Sequence, residues 1–194
     1  MPSMAHNAIV VDLDKCIGCF GCEAACKLEH EVDLGIKWNT VTVMGPFGTF
    51  PNLQQYWLPK NCQQCADAPC QEVCPTGATY RDENNIVLVN AETCIGCQAC
   101  IAACPYDCRT LNEKTNVVEK CTLCADRVAE GKDPLCVSVC CGEARYFGDL
   151  DDPESPASKA LAAADPASIH QLPNTGNNPM NHYILSSRIA PWQE

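Results

Sequence analysis

The chain has 194 residues, 18 of them cysteine, and a formal net charge of −11 at pH 7. This length suits one large domain or two small ones, and the acidity excludes a nucleic-acid-binding protein and favours docking on a positively charged protein surface. No stretch approaches the ~18 apolar residues of a membrane helix, and the first eight residues are polar, so we expect neither a membrane span nor a secretory signal.

Residues 1–60 contain three predicted elements. Residues 7–14 are predicted to form an apolar strand, and residues 17–29 a loop followed by a short helix. Apolar positions alternate over residues 36–58 around a Gly-Pro-Phe-Gly turn at 45–48, which predicts a β-hairpin. We expect this hairpin to cover one face of the core and to carry no chemistry.

The rest of the chain falls into a strand-rich part and a polar tail. A strand is predicted at 86–89, a hairpin-like segment at 111–118 and a helical turn or two at 125–130. No cysteine follows Cys141, and proline, asparagine and serine become frequent. In this tail we predict a helix at 156–164, then an extended arm that lies on the domain surface or on a partner.

Sixteen of the cysteines fall into four runs of four. Two runs have the spacing x2-x2-x3, where x is any residue, and they repeat each other at an offset of 78 residues. The other two runs have longer second gaps, of four and eleven residues. Run one is Cys16, Cys19, Cys22 and Cys26; run two is Cys62, Cys65, Cys70 and Cys74; run three is Cys94, Cys97, Cys100 and Cys104; run four is Cys121, Cys124, Cys136 and Cys140.

These spacings indicate iron–sulfur chemistry. Run three, followed by Pro105, has the spacing with which bacterial ferredoxins bind [4Fe-4S] clusters. Three close cysteines and a distant fourth do not suit one tetrahedral zinc ion, and cysteines so near in sequence pair poorly as disulfides. We therefore predict four [4Fe-4S] clusters. Each oxidised cluster with its thiolates adds about −2, which would bring the net charge to about −19.

The four runs must share the clusters between them. In two-cluster ferredoxins the fourth cysteine of each run binds the cluster of the other run. Runs two and three are neighbours in sequence and both end in Cys-Pro, which leaves runs one and four to meet across the fold. The predicted ligands are Cys16, Cys19, Cys22 and Cys140 for cluster 1; Cys26, Cys121, Cys124 and Cys136 for cluster 2; Cys62, Cys65, Cys70 and Cys104 for cluster 3; and Cys74, Cys94, Cys97 and Cys100 for cluster 4.

A few residues near the runs have no predicted role as cluster ligands. Cys108 and Cys141 are either spare ligands, a redox pair or small buried apolar residues, and we favour the last. Lysines adjoin several ligand cysteines, as Lys120 does, and either raise cluster potentials or extend to solvent. The histidines outside the runs, His30 among them, are expected to be surface or packing residues.

The sequence shows no apparatus for substrate chemistry. It has no discernible nucleophile–base pair, glycine-rich phosphate loop or carboxylate pair, and the runs leave no cysteine free to bind a substrate. No catalytic residue is therefore predicted. The clusters are expected to pass electrons one at a time, and a relay with two ends implies two redox partners.

The whole pattern resembles the four-cluster [4Fe-4S] electron-transfer (beta) subunit of molybdopterin oxidoreductases of the dimethyl sulfoxide reductase superfamily. The types most similar are polysulfide, dimethyl sulfoxide and arsenate reductases and aromatic hydroxytransferases or dehydroxylases. The resemblance covers nearly the whole chain and includes Cys74-Pro-Thr-Gly-Ala78, Cys104-Pro-Tyr-Asp107 and Lys120-Cys-Thr-x-Cys124. The chain departs from the pattern at Cys141, where proline is usual, and at Cys108, where a small residue is usual.

This resemblance implies an α+β fold of two bacterial-ferredoxin-like modules related by a pseudo-twofold axis, and the same crossed pairing of runs. Module A would comprise residues 1–35 and 120–148, and module B residues 59–119. Residues 36–58 would form the hairpin insertion, and residues 149–194 a C-terminal helix and an extended docking arm.

The resemblance also implies partners. One is a large catalytic subunit with molybdenum or tungsten in a bis-molybdopterin guanine dinucleotide site. Another is a membrane anchor that exchanges electrons with quinones. This anchor is expected to be a separate protein, since the chain ends in Ala190-Pro-Trp-Gln-Glu194. The complex would lie on the outer face of a bacterial cytoplasmic membrane, reached by co-export with the catalytic subunit, or else in the cytoplasm.

Three alternatives stay open at this point. The first is a free soluble polyferredoxin, against which the long cysteine-free tail argues. The second is an electron-input subunit of a hydrogenase or formate complex, and the third is a zinc-structured scaffold.

Overall fold

The computed structural model describes residues 5–186 and 191–192. Short strands and short helices alternate along the chain, which confirms the predicted α+β class. Within the described ranges, no helix combines the length and apolar character that crossing a membrane requires. The elements are β1 (Asn7–Asp12), α1 (Gly21–Glu29), β2 (Asn39–Phe47), β3 (Gln54–Asn61), α2 (Pro69–Glu72), β4 (Thr79–Arg81), β5 (Val87–Val89), α3 (Ala99–Ala102), β6 (Arg109–Asn112), β7 (Val117–Lys120), α4 (Ala125–Ala129), α5 (Leu135–Ser138), β8 (Arg145–Asp149), α6 (Pro156–Ala163), β9 (Ile169–His170) and β10 (His182–Ile184).

The largest sheet has the strand order β8-β1-β10-β9. Strand β1 is predicted correctly from its apolar run, and its residues Ala8 to Val11 are almost completely buried. It pairs antiparallel with β8, as at Ile9–Phe147, and parallel with β10, as at Val10–His182. This sheet holds together the parts of the chain that carry runs one and four.

The C-terminal segment differs from the prediction. Residues 165–186 are not an extended arm, because β10 lies inside the sheet beside β1, with Tyr183 completely buried and Leu185 nearly so. The polar composition of this segment was misleading, since its asparagines satisfy buried backbone groups: the Ile9 N–H donates to Asn181 Oδ1 at 2.9 Å. Residues 187–190 and 193–194, which include most of the expected chain end, lie outside the described residues.

The hairpin predicted at 36–58 is present as β2 and β3, which pair from Asn39–Asn61 to Phe47–Gln54. Trp57 of this hairpin packs directly on the loop of run one, where a Cβ at Gly18 would overlap its indole ring. The hairpin therefore covers that loop, as expected. Two smaller hairpins, β4–β5 and β6–β7, flank run three.

The sequence repeat between runs one and three reappears in the backbone. Gly18 and Gly96, 78 residues apart, have φ of 63° and 66°, and Phe20 and Gln98 have φ of 60° and 63°. The left-handed conformation turns each loop sharply between its cysteines, which is why glycine stands at the first position of each pair. The helices of the runs also meet in pairs, α1 with α5 and α2 with α3.

Helix α6 is predicted correctly and closes the sheet from one side. Ser155 caps it by accepting a hydrogen bond from the Ser158 N–H at 3.1 Å. Its Ala157 is completely buried against Val10 and Ile184 of the sheet. A Cβ at Gly148 would lie 2.7 Å from Ser155 Cβ, so glycine lets the helix start approach β8.

Candidate metal centres

Four cysteines from two distant runs line one cavity beside β1, which we call cavity 1. They are Cys16, Cys19 and Cys22 of run one and Cys140 of run four, and the cavity measures about 390 Å³. Arg145, the first residue of β8, lines the same space. The Ala144 N–H donates to Cys140 Sγ at 3.3 Å, which orients that side chain.

A second cavity, which we call cavity 3, has the same construction from runs two and three. Cys62, Cys65, Cys70 and Cys104 line it, and it measures about 350 Å³. Arg109, the first residue of β6, faces it as Arg145 faces cavity 1. The cysteines around cavities 1 and 3 are those that the crossed pairing predicts for clusters 1 and 3.

The fold also brings together the predicted ligands of clusters 2 and 4, to different degrees. Cys26, Cys121, Cys124 and Cys136 are all buried. Burial raises the pKa of Cys26, and the three cysteines of run four raise it further, so these thiols lie within electrostatic reach of one another. For the fourth set, Cys100 is buried in an apolar cluster against which Cys94 packs, whereas Cys97 is exposed. The thiol of Cys74 contacts Thr76 and Thr79.

Two buried arginines face the cysteines. Arg109 Nη2 donates to Cys70 Sγ at 3.0 Å and Nη1 to Thr79 Oγ1 at 3.2 Å. Arg145 Nη2 donates to Asn61 Oδ1 at 3.3 Å, while its Nε and Nη1 have no hydrogen-bond partner in the described part of the chain. Burial lowers the pKa of each guanidinium, but nearby thiolates more than offset this and raise it.

The residues of cavity 1 fit an anionic iron–sulfur cluster. A buried guanidinium with two unpaired nitrogens is costly, and a cluster with its thiolates would supply the missing negative charge and acceptors. The donors are cysteine sulfurs only, the ligand set of [4Fe-4S] clusters. Across residues 5–186 and 191–192, no three His, Cys, Asp or Glu side chains gather closely enough to hold a single metal ion.

Burial raises the pKa of seven of the predicted ligand thiols. It raises the pKa of Cys65 to about 11 and that of Cys121 to about 12. Two predicted ligands differ. A hydrogen bond from Cys108 lowers the pKa of Cys104 to about 5. Burial raises the pKa of Cys74, but hydrogen bonds from Thr79 and Thr76 more than offset this and lower it to about 7. Since iron binds thiolates, cluster loading must release the protons of the raised group.

Three polar side chains that were not predicted to contact the cysteines lie against predicted cluster ligands. Asn177 Nδ2 donates to Cys65 Sγ at 3.0 Å, and Asn61 Nδ2 lies 3.7 Å from Cys121 Sγ. His30, predicted as a surface or packing residue, packs on Trp38, and its Nε2 also lies 3.2 Å from Cys124 Sγ. Asn177 stands 112 residues from its cysteine, and no local pattern marks such a contact.

Lys120 and Cys108 also differ from the simplest expectation. Lys120 does not extend to solvent: it is 2% exposed, and its Nζ donates to the carbonyls of Val87 and Cys121. Cys108 is more than a small apolar residue, because its Sγ donates to the Asn61 carbonyl at 3.3 Å.

The four sets follow one another in space. Burial raises the pKa of Cys22, and Arg145 lowers it. Cys136 raises it again, and because Cys136 belongs to the second set, this influence links the first set to the second. Cys62 is the largest influence on the pKa of Cys121 after burial, which joins the second set to the third. Arg109 is influenced by Cys70 and Cys62 of the third set and by Cys100 of the fourth.

Comparison with known proteins gives the class first. The 4Fe-4S dicluster domain family matches residues 53–150 of this chain. The chain is also 39% identical to a putative dimethyl sulfoxide reductase iron-sulfur subunit of Halobacterium salinarum, over 98% of this chain and 84% of that protein. It is 34% identical to the arsenate respiratory reductase iron-sulfur subunit of a Shewanella species, over 92% and 95% of the two chains.

A third relative is the thiosulfate reductase electron transfer subunit of Salmonella typhi, 47% identical over 74% of this chain and 76% of that protein. The chain thus belongs to the family of iron–sulfur electron-transfer subunits of molybdopterin oxidoreductases, as its cysteine runs predict.

Proposed function

We propose that this protein relays single electrons through four [4Fe-4S] clusters, between a molybdopterin catalytic subunit and a second redox partner. It is a non-catalytic subunit of an oxidoreductase complex. The observation that carries the proposal is cavity 1, where three cysteines of run one meet Cys140 of run four beside an incompletely paired buried arginine. Such a site suits a polynuclear anionic cluster, and the named relatives are subunits of this kind.

The ligands of the clusters are the four crossed sets. The cysteines that line cavities 1 and 3 support the sets of clusters 1 and 3, and the mutual influence of Cys26 and run four supports that of cluster 2. The set of cluster 4 rests on the contact between α2 and α3 and on the repeat of run one in run three.

The electrostatic neighbours support the order 1–2–3–4 along the relay. Cys22 and Cys136 join clusters 1 and 2, and Cys121 and Cys62 join clusters 2 and 3. Clusters 1 and 4 are then the two ends, and each end cluster has an exposed ligand, Cys19 or Cys97. An electron would enter at one end and leave at the other.

The fold that holds them consists of two ferredoxin-like modules related by a pseudo-twofold axis. Residues 1–35 and 120–148 form module A, and residues 59–119 form module B. The matched left-handed residues at 18 and 96 support this symmetry. The pairing of β1 with β8 and of α1 with α5 supports the assignment of both chain halves to module A.

The catalytic partner carries molybdenum or tungsten in its bis-molybdopterin guanine dinucleotide site, and the second partner is a separate quinone-linked membrane subunit or a soluble donor. The complex lies on the outer face of the cytoplasmic membrane, with the cytoplasm as the alternative. The dimethyl sulfoxide and arsenate reductase names of the relatives support the catalytic partner over a free polyferredoxin.

Anoxic affinity purification from the native host tests the function. We expect about sixteen iron atoms and as many acid-labile sulfides per chain, together with a large molybdenum- or tungsten-containing protein. Markedly less iron, or stoichiometric zinc, would contradict the cluster assignment. Full iron without a large partner would favour the free carrier.

A cysteine-to-serine exchange in run one tests the crossed pairing. Cys26→Ser should alter the EPR signal of cluster 2, whose other ligands are in run four, because Cys26 lies among Cys121, Cys124 and Cys136. Ala24→Ser, at an exposed position of the same helix, should leave all four signals in place. A change confined to cluster 1 in the Cys26 variant would refute the pairing.

A further inference from the structure

The cysteine that follows the last predicted ligand reaches back to run one. Cys141 is exposed, and its Sγ lies 3.6 Å from Sγ of Cys19, which is exposed as well. Two thiolates on one tetrahedral metal ion, with metal–sulfur bonds of about 2.3 Å, lie about 3.8 Å apart. The two sulfurs are thus separated by about the distance of two ligands on one iron.

The backbone around Cys141 holds it at that position. A Cβ at Gly142 would lie 2.8 Å from the carbonyl oxygen of Lys15, so only glycine lets this segment lie against the start of run one. The Glu143 N–H donates to the Cys140 carbonyl at 2.9 Å and closes the turn. Cys141 is therefore held beside cavity 1 rather than projecting freely into solvent.

A second feature of cavity 1, a buried arginine, also points to a metal site. Arg145 lines it, is 4% exposed and leaves Nε and Nη1 without a hydrogen-bond partner within the described chain. A fully loaded anionic cluster satisfies that charge, which favours cluster assembly in this cavity. A second thiolate within reach of the outermost iron would keep that cluster whole.

We propose that Cys141 is a reserve ligand for the iron of cluster 1 that Cys19 binds. This inference rests on the proposed function, since it needs cluster 1. The step is a ligand exchange: the bond from iron to the Cys19 sulfur breaks, the Cys141 thiol gives its proton to water, and its thiolate forms the new bond. No electron is transferred.

The chain supplies a matched position without a reserve. Cys97 in run three repeats Cys19 in run one, and it is exposed in the same way. The position that corresponds to Cys141, directly after the fourth cysteine of the paired run, is Pro75. Proline offers no sulfur, so cluster 4 has one ligand at the site where cluster 1 has two.

The test uses the full chain, purified anoxically, with Cys19→Ser, Cys97→Ser and the double variant Cys19→Ser/Cys141→Ser. Loss of one ligand converts a [4Fe-4S] cluster into a paramagnetic [3Fe-4S] cluster, which EPR counts in the oxidised protein. We expect about one such spin per chain in Cys97→Ser and in the double variant, and several-fold less in Cys19→Ser. Equal spin in Cys19→Ser and the double variant, high or low, would overturn the reserve ligand.

A second measurement remains decisive if the serine variants assemble their clusters poorly. Iron chelation of wild-type protein, Cys141→Ser and the exposed control Ala24→Ser should remove the first iron several-fold faster from Cys141→Ser than from the other two. Equal rates in all three would overturn the inference. If the wild-type chain itself lacks [4Fe-4S] clusters, the proposed function fails. If the wild-type chain is fully loaded but the variants have equal EPR spin and equal rates of iron loss, only the reserve ligand is rejected.

Discussion

Cavities 1 and 3 each place a buried arginine beside four cysteines from two runs, but their surroundings differ. At cavity 3, Arg109 donates directly to Cys70, and Asn177 donates to Cys65. At cavity 1, Arg145 leaves two nitrogens, Nε and Nη1, without a hydrogen-bond partner within the described residues. One ligand cysteine of cavity 1, Cys19, is exposed.

This difference agrees with the place proposed for each site in the relay. Cavity 3 is bordered by the C-terminal segment that supplies Asn177, so its thiols receive fixed hydrogen bonds. Cavity 1, the proposed end of the relay, has one exposed cysteine, where a partner would approach. On this proposal the same plan serves an interior cluster and a terminal one.

The strongest perturbation is expected in the loop that closes cavity 1. In Gly18→Ala the new Cβ would overlap Trp57 at a φ of +63°. The left-handed backbone costs about 1–2 kcal/mol and the overpacking about 1–3 kcal/mol more. We expect stability to fall by about 2–5 kcal/mol, measured by anoxic denaturation followed through cluster absorbance.

Gly77→Ala is the matched control, because Gly77 has a φ of +68° but no atom within 4 Å of a new Cβ. Only the backbone cost of about 1–2 kcal/mol should appear there. If both alanine variants lose the same stability, the hairpin does not hold the loop of cavity 1.

An intermediate effect separates the two arginines. Arg109→Met removes a charged donor 3.0 Å from Cys70 Sγ, and this donor stabilises the reduced, more negative cluster. A hydrogen bond to a charged group is worth about 1.5–3 kcal/mol. We therefore expect the reduction potential of cluster 3 to fall by about 60 mV or more, in an EPR-monitored redox titration.

Arg109→Lys keeps the charge and loses the planar pair of donors, so it should shift the potential less. Arg145→Met should lower the potentials of clusters 1 and 2 and leave cluster 3 nearly unchanged, because Arg145 lies beside Cys136 and Cys22. An unchanged cluster 3 in Arg109→Met would remove the contrast between the two cavities.

A weaker shift tests the part of the C-terminal segment at cavity 3. Asn177→Ala removes a neutral donor to Cys65 Sγ, worth about 0.5–1 kcal/mol, and should lower the potential of cluster 3 by about 20–40 mV. Asn178→Ala is the control, since that side chain bonds Asp67 rather than a cysteine. A similar shift in both variants would point to a general loosening of the segment.

Local sequence was sufficient for part of this fold. The strand at 7–14, the hairpin at 36–58 and the helix at 156–164 were predictable because each has its own apolar period, turn or cap. The position of β10 was not, because three residues of an asparagine-rich segment carry no strand pattern that a sheet would require. Only the uncovered edge of β1, formed by distant parts of the chain, gives that segment a place.

Cysteine spacing alone was enough to predict the iron–sulfur class, because cysteines separated by two other residues can reach one cluster whatever the rest of the chain does. The environment of the sulfurs depends on the tertiary structure. Four side chains distant in sequence reach their cysteines only in the folded chain: Arg109, Arg145, Asn177 and His30. Hydrogen bonds and charge at a thiolate depend on distances of a few ångströms between residues far apart in sequence. Spacing therefore defines which cofactor is bound, and packing defines the environment in which each cluster gains or loses an electron.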